Sequence, residues 1–183
     1  MMKFSTGTAQ EWSPHIYPQL LRYRHRIFVD ELGWDIPSRD GMEFDQFDRD
    51  DTVHVAAHDG AGEIGAYSRL LPTVKPYLLS EVFPQLMDGQ CLPRSEDTWE
   101  LSRFTAQDSR DGQVSRHFVF SPMAVELLHY SVSTAARHGA RNLIFVGSPG
   151  MATLMSRADF DVKRIGRPRI IGGHRVLAAV IRF

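Results

Sequence analysis

The chain has 183 residues, 43% of them hydrophobic, which suits one globular domain spanning 1–183 with a buried core. No run of about 18 apolar residues occurs, and the N-terminal MMKFSTGTAQEW lacks a long apolar stretch and a small-residue cleavage site; neither a membrane span nor a secretory signal is expected, and the cytoplasm is the expected compartment. The net charge of −1 hides an asymmetry: residues 1–111 hold 11 Lys/Arg against 19 Asp/Glu, a net of −8, whereas residues 112–183 hold 10 against 3, a net of +7.

In chain order, residues 16–32 place Leu20, Tyr23, Ile27 and Phe28 near one helical face, with Gly33 as the stop. Residues 35–51 carry seven carboxylates and read as an ordered acidic loop rather than an element. Residues 52–58 read as a strand, Asp59-Gly60 as a turn, and Glu63 to Leu71 as the returning strand, closed by Pro72. A short helix is expected within 76–88 and a strand over 98–105. Residues 121–139 read as a helix, with Pro122 in its first turn and Gly139 at its end. Then come a buried strand over 142–147, a helix from Gly150 to Ala158, and strands over 161–165 and 174–182. This order predicts an α/β (α+β) fold, one mixed sheet covered by helices with some parallel pairing toward the C-terminus.

Three stretches carry candidate chemistry. Arg24 and Phe28 share a helix face, and Trp34 follows the helix stop; an aromatic pair beside an arginine can cradle a flat or cationic ligand, or simply pack in the core. Glu43-Phe44-Asp45-Gln46-Phe47-Asp48 brings close carboxylates that a sulfonium, an ammonium or solvent would neutralise, with Phe44 and Phe47 anchoring the loop. In Trp99-Glu100-Leu101-Ser102-Arg103-Phe104, a regular strand points Glu100 and Ser102 one way and Arg103 the other, unless a bulge intervenes. Charges among such apolar neighbours require partners, Arg69 or Asp45 among them. No metal site is expected: the single cysteine, Cys91, excludes a multi-cysteine cluster, and the eight histidines show no ligand spacing. No Ser/His nucleophile motif or phosphate loop occurs.

Together Arg24-x-x-x-Phe28, Leu32-Gly33-Trp34, Asp45-Gln46-Phe47-Asp48, Arg69-Leu70-Leu71-Pro72 and Trp99-Glu100-Leu101-Ser102-Arg103-Phe104 resemble the acyl-homoserine-lactone synthases, the LuxI-type autoinducer synthases of quorum sensing. The resemblance implies a fold similar to GCN5-type N-acetyltransferases, with a V-shaped cleft between central strands that admits an acyl-pantetheine arm. It implies acyl transfer from a thioester to the amine of S-adenosylmethionine (SAM), then lactone closure with loss of methylthioadenosine. SAM is then a substrate, and no tightly bound cofactor is expected. Arg24, Phe28, Trp34, Asp45 and Arg69 would bind SAM; Glu100, Arg103, Asp48 and Ser102 would form the reaction centre.

Glu100 is the first candidate for the base that deprotonates the amine, with Asp48 and Asp45 behind it. Arg24, Arg69 or Arg103 would clamp the SAM carboxylate. The acyl donor would be acyl carrier protein or acyl-CoA, both anionic, and the basic C-terminal region suits either. Nucleic acid and membrane are not expected partners. Met123, Leu127, Phe145, Met151 and Leu154 are the candidate acyl pocket, and Phe145 favours unsubstituted chains. Two rival readings are a GCN5-like N-acyltransferase acting on another amine and a non-catalytic ligand-sensing domain.

Overall fold

A computed structural model describes residues 2–59, 61–107 and 121–183. In chain order the elements are β1 (Lys3–Gly7), α1 (Ile16–Arg24), β2 (Ser38–Arg39), β3 (Met42–Glu43), β4 (Val53–His58), β5 (Ile64–Pro72), α2 (Leu78–Glu81), β6 (Thr98–Ala106), α3 (Pro122–Arg137), β7 (Asn142–Gly147), α4 (Pro149–Arg157), β8 (Asp161–Arg164), β9 (Arg169–Ile171) and β10 (His174–Arg182). Among the described residues, eight strands form one sheet in the order β1-β4-β5-β6-β7-β10-β8, with β9 on β10. The pairs are antiparallel except β6 with β7, which the helix α3 joins as a parallel crossover. No described helix is long and apolar enough to cross a membrane.

The sheet has an apolar face and a chemical face. Val53, Val55, Leu70, Leu101, Phe145 and Ala179 pack with Leu127, Leu128 and Val132 of α3 into one core. The opposite side of β4, β5 and β6 carries His54, Tyr67, Arg69, Glu100 and Ser102, all buried beneath α1, the acidic loop and the segment holding α2. Period-two alternation along three adjacent strands therefore separates the packing residues from the reactive ones.

The expected helix over 16–32 changes type partway. After Arg24 the chain widens into a π-helical turn, His25–Glu31, closed by Leu32 N–H donating to the Ile27 carbonyl at 3.0 Å. Leu20, Tyr23, Ile27 and Phe28 are all buried, so the predicted apolar face survives the wider turn. Gly33 follows at φ +67, a left-handed conformation that ends the helix. Gly60 of the expected Asp59-Gly60 turn lies outside the described residues.

Sequence reading missed four strands, β1, β2, β3 and β9. β1 is an outer strand whose pairing with β4 supplies what its weak alternation does not signal. β2 and β3 form a two-rung hairpin inside the acidic loop, turning at Asp40 (φ +54) and Gly41 (φ +70). An aspartate-glycine pair is a hairpin signal that the surrounding polar composition obscured. β9 pairs over three rungs with the N-terminal end of β10.

The seam between β6 and β7 opens. Their pairing runs from Thr98↔Asn142 to Leu101↔Phe145 and stops, although β6 continues to Ala106 and β7 to Gly147. Beyond that rung, among the described residues, β6 pairs with β5 alone and β7 with β10 alone. A cleft between two central strands results, and Glu100 and Leu101 occupy its vertex.

Candidate functional site

One irregularity aims the third arginine. Between β5 and β6 the register passes from Arg69↔Ser102 to Tyr67↔Thr105, so two residues of β6 oppose one of β5. This is a β-bulge, and Arg103 occupies it at φ +52, a strained conformation for an arginine. The extra residue turns Arg103 onto the face of Ser102 and Arg69 instead of into the α3 core.

The result is a closed ring of alternating charges. Arg24 Nε donates to Glu43 Oε2 at 2.5 Å. Glu43 Oε1 accepts from Arg103 Nη2 at 3.0 Å, and the same nitrogen donates to Asp45 Oδ2 at 3.0 Å. Asp45 accepts from Arg69 at 2.6 and 3.1 Å. Arg69 Nη1 donates to Asp48 Oδ1 at 3.1 Å, and Asp48 closes the ring with a two-pronged bond to Arg24 at 2.7 and 2.9 Å. Three cations thus balance three anions, and none of the six side chains is more than 5% exposed. A buried ionic cluster is tolerable only when every charge is paired in this way. Burial acts to raise the Asp48 carboxyl, but Arg24 and Arg69 outweigh it and hold it far below the usual carboxylate range.

Aromatic rings line the edge of this ring. Phe28 and Trp34 stack with centroids 4.9 Å apart, and the Arg103 guanidinium lies 5.5 Å from the first and 5.8 Å from the second. The expected aromatic cradle exists, but the protein's own cation already sits against it. Phe47, fully buried, stands 5.7 Å from the Arg69 guanidinium and anchors the acidic loop. Phe44, expected to anchor it too, is 42% exposed and does not.

Glu100 is held differently. It faces the same side as Ser102, yet its carboxylate accepts the backbone N–H groups of Leu78 (2.8 Å) and Leu79 (2.7 Å) in the first turn of α2. Burial pushes its pKa up to about 7, against the pull of those two N–H groups and of Arg69 and Arg103. Ser102 Oγ accepts from Arg69 Nε at 3.1 Å. A carboxylate poised near neutrality beside a charge-balanced ring, at the vertex of an open seam, can take a proton from a bound amine.

The structure brings together Arg24, Phe28, Trp34, Asp45, Asp48, Arg69, Ser102 and Arg103, with Glu100 alongside. Sequence reasoning placed Glu43 in the acidic loop but gave it no role, although it links Arg24 to Arg103. It also passed over Tyr67, whose hydroxyl is 3.4 Å from Arg24 Nη1, and His54. Of the acyl-pocket candidates, Leu127, Phe145 and Leu154 are buried, and Met123 and Met151 pack partly buried against the main core. Phe145 forms the last rung of the closed part of the seam, on the α3 side; Ile144, the register mate of Glu100, occupies the chemical face.

A family model described as autoinducer synthase matches residues 10–183. An acyl-homoserine-lactone synthase of Acinetobacter nosocomialis is 38% identical over 98% of this chain and 99% of its own length. The crystal structure of TofI in a ternary complex with an inhibitor and MTA superposes with a TM-score of 0.84 at 42% identity, covering 99% of this chain and 91% of that one. BjaI, a CoA-dependent acyl-homoserine lactone synthase crystallised with SAM and isopentyl-CoA, superposes with a TM-score of 0.85 at 26% identity, over 100% of this chain and 83% of that one. An acyl-CoA N-acyltransferase from Pseudomonas aeruginosa, 16% identical with a TM-score of 0.67 over 100% of this chain and 99% of its own, shares the fold.

Proposed function

This chain belongs to the autoinducer synthase family, acyltransferases that make acyl-homoserine lactones, and on that footing we propose how its own residues carry the reaction. SAM lies against the charge ring, with its amine directed to Glu100. The ionised Glu100 takes the amine proton; the nitrogen then attacks the thioester carbon and the thiol leaves. Charge developing on the thioester oxygen is met by backbone N–H groups of β6 at the open seam, with Ser102 beside them. In the second step the SAM carboxylate attacks its own γ-carbon, the carbon–sulfur bond breaks, and methylthioadenosine departs.

Arg103 is the carboxylate clamp in this scheme. Arg24 and Arg69 are fully buried, whereas Arg103 retains some exposure and lies beside the half-exposed Trp34. Asp45, shared between Arg69 and Arg103, faces the sulfonium side, and Trp34 covers it. The observation that carries the reading is the coincidence of the seam's last rung with Glu100 and Leu101: the opening for an acyl arm begins where the buried carboxylate sits.

The acyl donor is an anionic thioester, an acyl carrier protein or acyl-CoA as BjaI uses. Lys163, Arg164, Arg167, Arg169 and Arg175, all exposed on β8 to β10, favour such a partner. The acyl chain enters the seam toward Phe145, Met123, Leu127, Met151 and Leu154. Phe145 limits depth and offers no hydrogen bond, which favours short or unsubstituted chains. We place the whole chain, 1–183, in one cytoplasmic domain. Incubating purified protein with SAM and each donor, then quantifying methylthioadenosine and lactone by mass spectrometry, tests the scheme. Lactone formed from one donor class identifies it; thioester hydrolysis without lactone would refute the assignment of the amine and carboxylate sites.

A further inference from the structure

Two buried groups behind the ring take no part in the chemistry above. His54 on β4 and Tyr67 on β5 are fully buried on the chemical face. The Tyr67 oxygen is 2.8 Å from His54 Nδ1 and 3.4 Å from Arg24 Nη1. A guanidinium nitrogen can only donate, so Tyr67 accepts from Arg24, and its own proton goes to His54 Nδ1. The imidazole then carries its proton on Nε2, an atom that is buried and has no hydrogen-bond partner among the described residues. Burial, with Arg24 and Arg69 nearby, pulls His54 down to about 3 against the opposing pull of Asp48, so it stays neutral at working pH.

An apolar side chain would fill the same space without leaving a buried polar atom unpaired. The histidine therefore needs a reason besides packing. Glu43 and Asp48, the carboxylates on Arg24, both come from the acidic loop, so they draw the guanidinium toward that loop. Tyr67 is the described hydrogen-bond partner that ties it to the sheet, and its ring backs the guanidinium at 5.5 Å.

We propose that His54 and Tyr67 are positioning residues for SAM: the imidazole turns the Tyr67 oxygen toward Arg24, which fixes the Arg24–Glu43–Asp48 side of the ring for the substrate. This rests on the assignment of the ring to the SAM site.

The test measures SAM KM and kcat at saturating acyl donor for the purified full chain and for Tyr67→Phe, His54→Leu, His54→Asn and the double Tyr67→Phe/His54→Leu. The asparagine oxygen reaches the position of Nδ1 and can still accept from Tyr67. Tyr67→Phe and His54→Leu should each raise SAM KM about tenfold with kcat within about twofold, the double variant should go no further, and His54→Asn should remain within about threefold of the parent. Unchanged SAM KM in Tyr67→Phe and His54→Leu, effects that multiply in the double variant, or a fall in kcat alone would overturn the proposal. If His54→Leu does not fold, Tyr67→Phe, which removes one oxygen, decides. Arg24→Lys separates the two claims: raised SAM KM there with silent Tyr67 and His54 variants removes only the relay, whereas unchanged SAM KM in all of them removes the ring from the SAM site.

Discussion

Replacing Leu78 by proline tests Glu100 as the base without touching a charged side chain. Leu78 is the first residue of α2, and its N–H donates to Glu100 Oε2 at 2.8 Å. Proline is tolerated at the first helical position, and the preceding Tyr77, at φ −139 and ψ 167, has the extended conformation that proline demands of its neighbour. The substitution deletes one hydrogen bond to the ionised carboxylate and spares the bond from Leu79. A hydrogen bond to a charged group is worth about 1.5–3 kcal/mol, and 1.36 kcal/mol is about one pKa unit. The Glu100 pKa should therefore climb from about 7 by roughly one to two units. In the parent enzyme, kcat/KM should fall about tenfold between pH 8 and pH 6, because a base must be ionised to act. In Leu78→Pro that acidic limb should move upward, with rates converging at high pH. Following methylthioadenosine release across pH 5.5–9.5 measures both. A limb that belongs to the SAM amine would stay where it is in the variant; an unmoved limb thus refutes Glu100 as the titrating base. Glu100→Gln is a poorer test, because its amide would set an NH2 group against one of two backbone N–H donors.

Asp48→Asn should leave an uncompensated positive charge in the ring and destabilise the fold by about 3–5 kcal/mol, or roughly 10 °C in Tm for a chain of this size; a shift under about 2 °C in a thermal melt would contradict the ring's structural role. The same carboxylate governs acid stability. Its folded pKa lies below the ordinary 3.8, so its contribution is present above that value and is lost as pH falls further, which denaturant titrations from pH 5 to pH 2 would reveal. Glu100 has the opposite sign: raised from 4.5 to about 7, it makes the folded state lose stability as pH rises through that window. Trp34→Ala should raise SAM KM with little effect on Tm, since Trp34 is 39% exposed; unaltered KM would remove it from the SAM site. Phe145→Ala should deepen the seam and shift the product profile toward longer acyl chains, read by mass spectrometry of lactones from mixed donors.

Much of the site was legible because charge in an apolar strand demands a partner. Arg103 and Glu100, flanked by Trp99, Leu101 and Phe104, had to be compensated; the acidic loop was the available source for Arg103, and Arg69 for Glu100. The particular pairings were not legible. Alternation alone sends Arg103 to the wrong face, and nothing local announces a bulge whose strain is compensated by Glu43 and Asp45, about 60 positions away in sequence. Glu100's contacts with α2 were hidden for a related reason. Backbone N–H donors have no letter in the sequence, and a helix as short as Leu78–Glu81 leaves almost no periodic signal. The missed strand β1 shows the same limit for the fold: its five rungs come from β4, not from its own composition.

The parting of β6 from β7 also bears on solubility. Unpaired strand backbone invites intermolecular pairing when it lies on an outer rim. Here that stretch of β6 lies inside the strand order of the sheet rather than at its rim, and the acidic loop meets its chemical face through Arg103. The pantetheine arm of the acyl donor proposed above is a thinner guest for that seam than a whole strand would be. Amides on that stretch of β6 should exchange with deuterium faster than those of residues 98–101 and slow down when an acyl donor is bound.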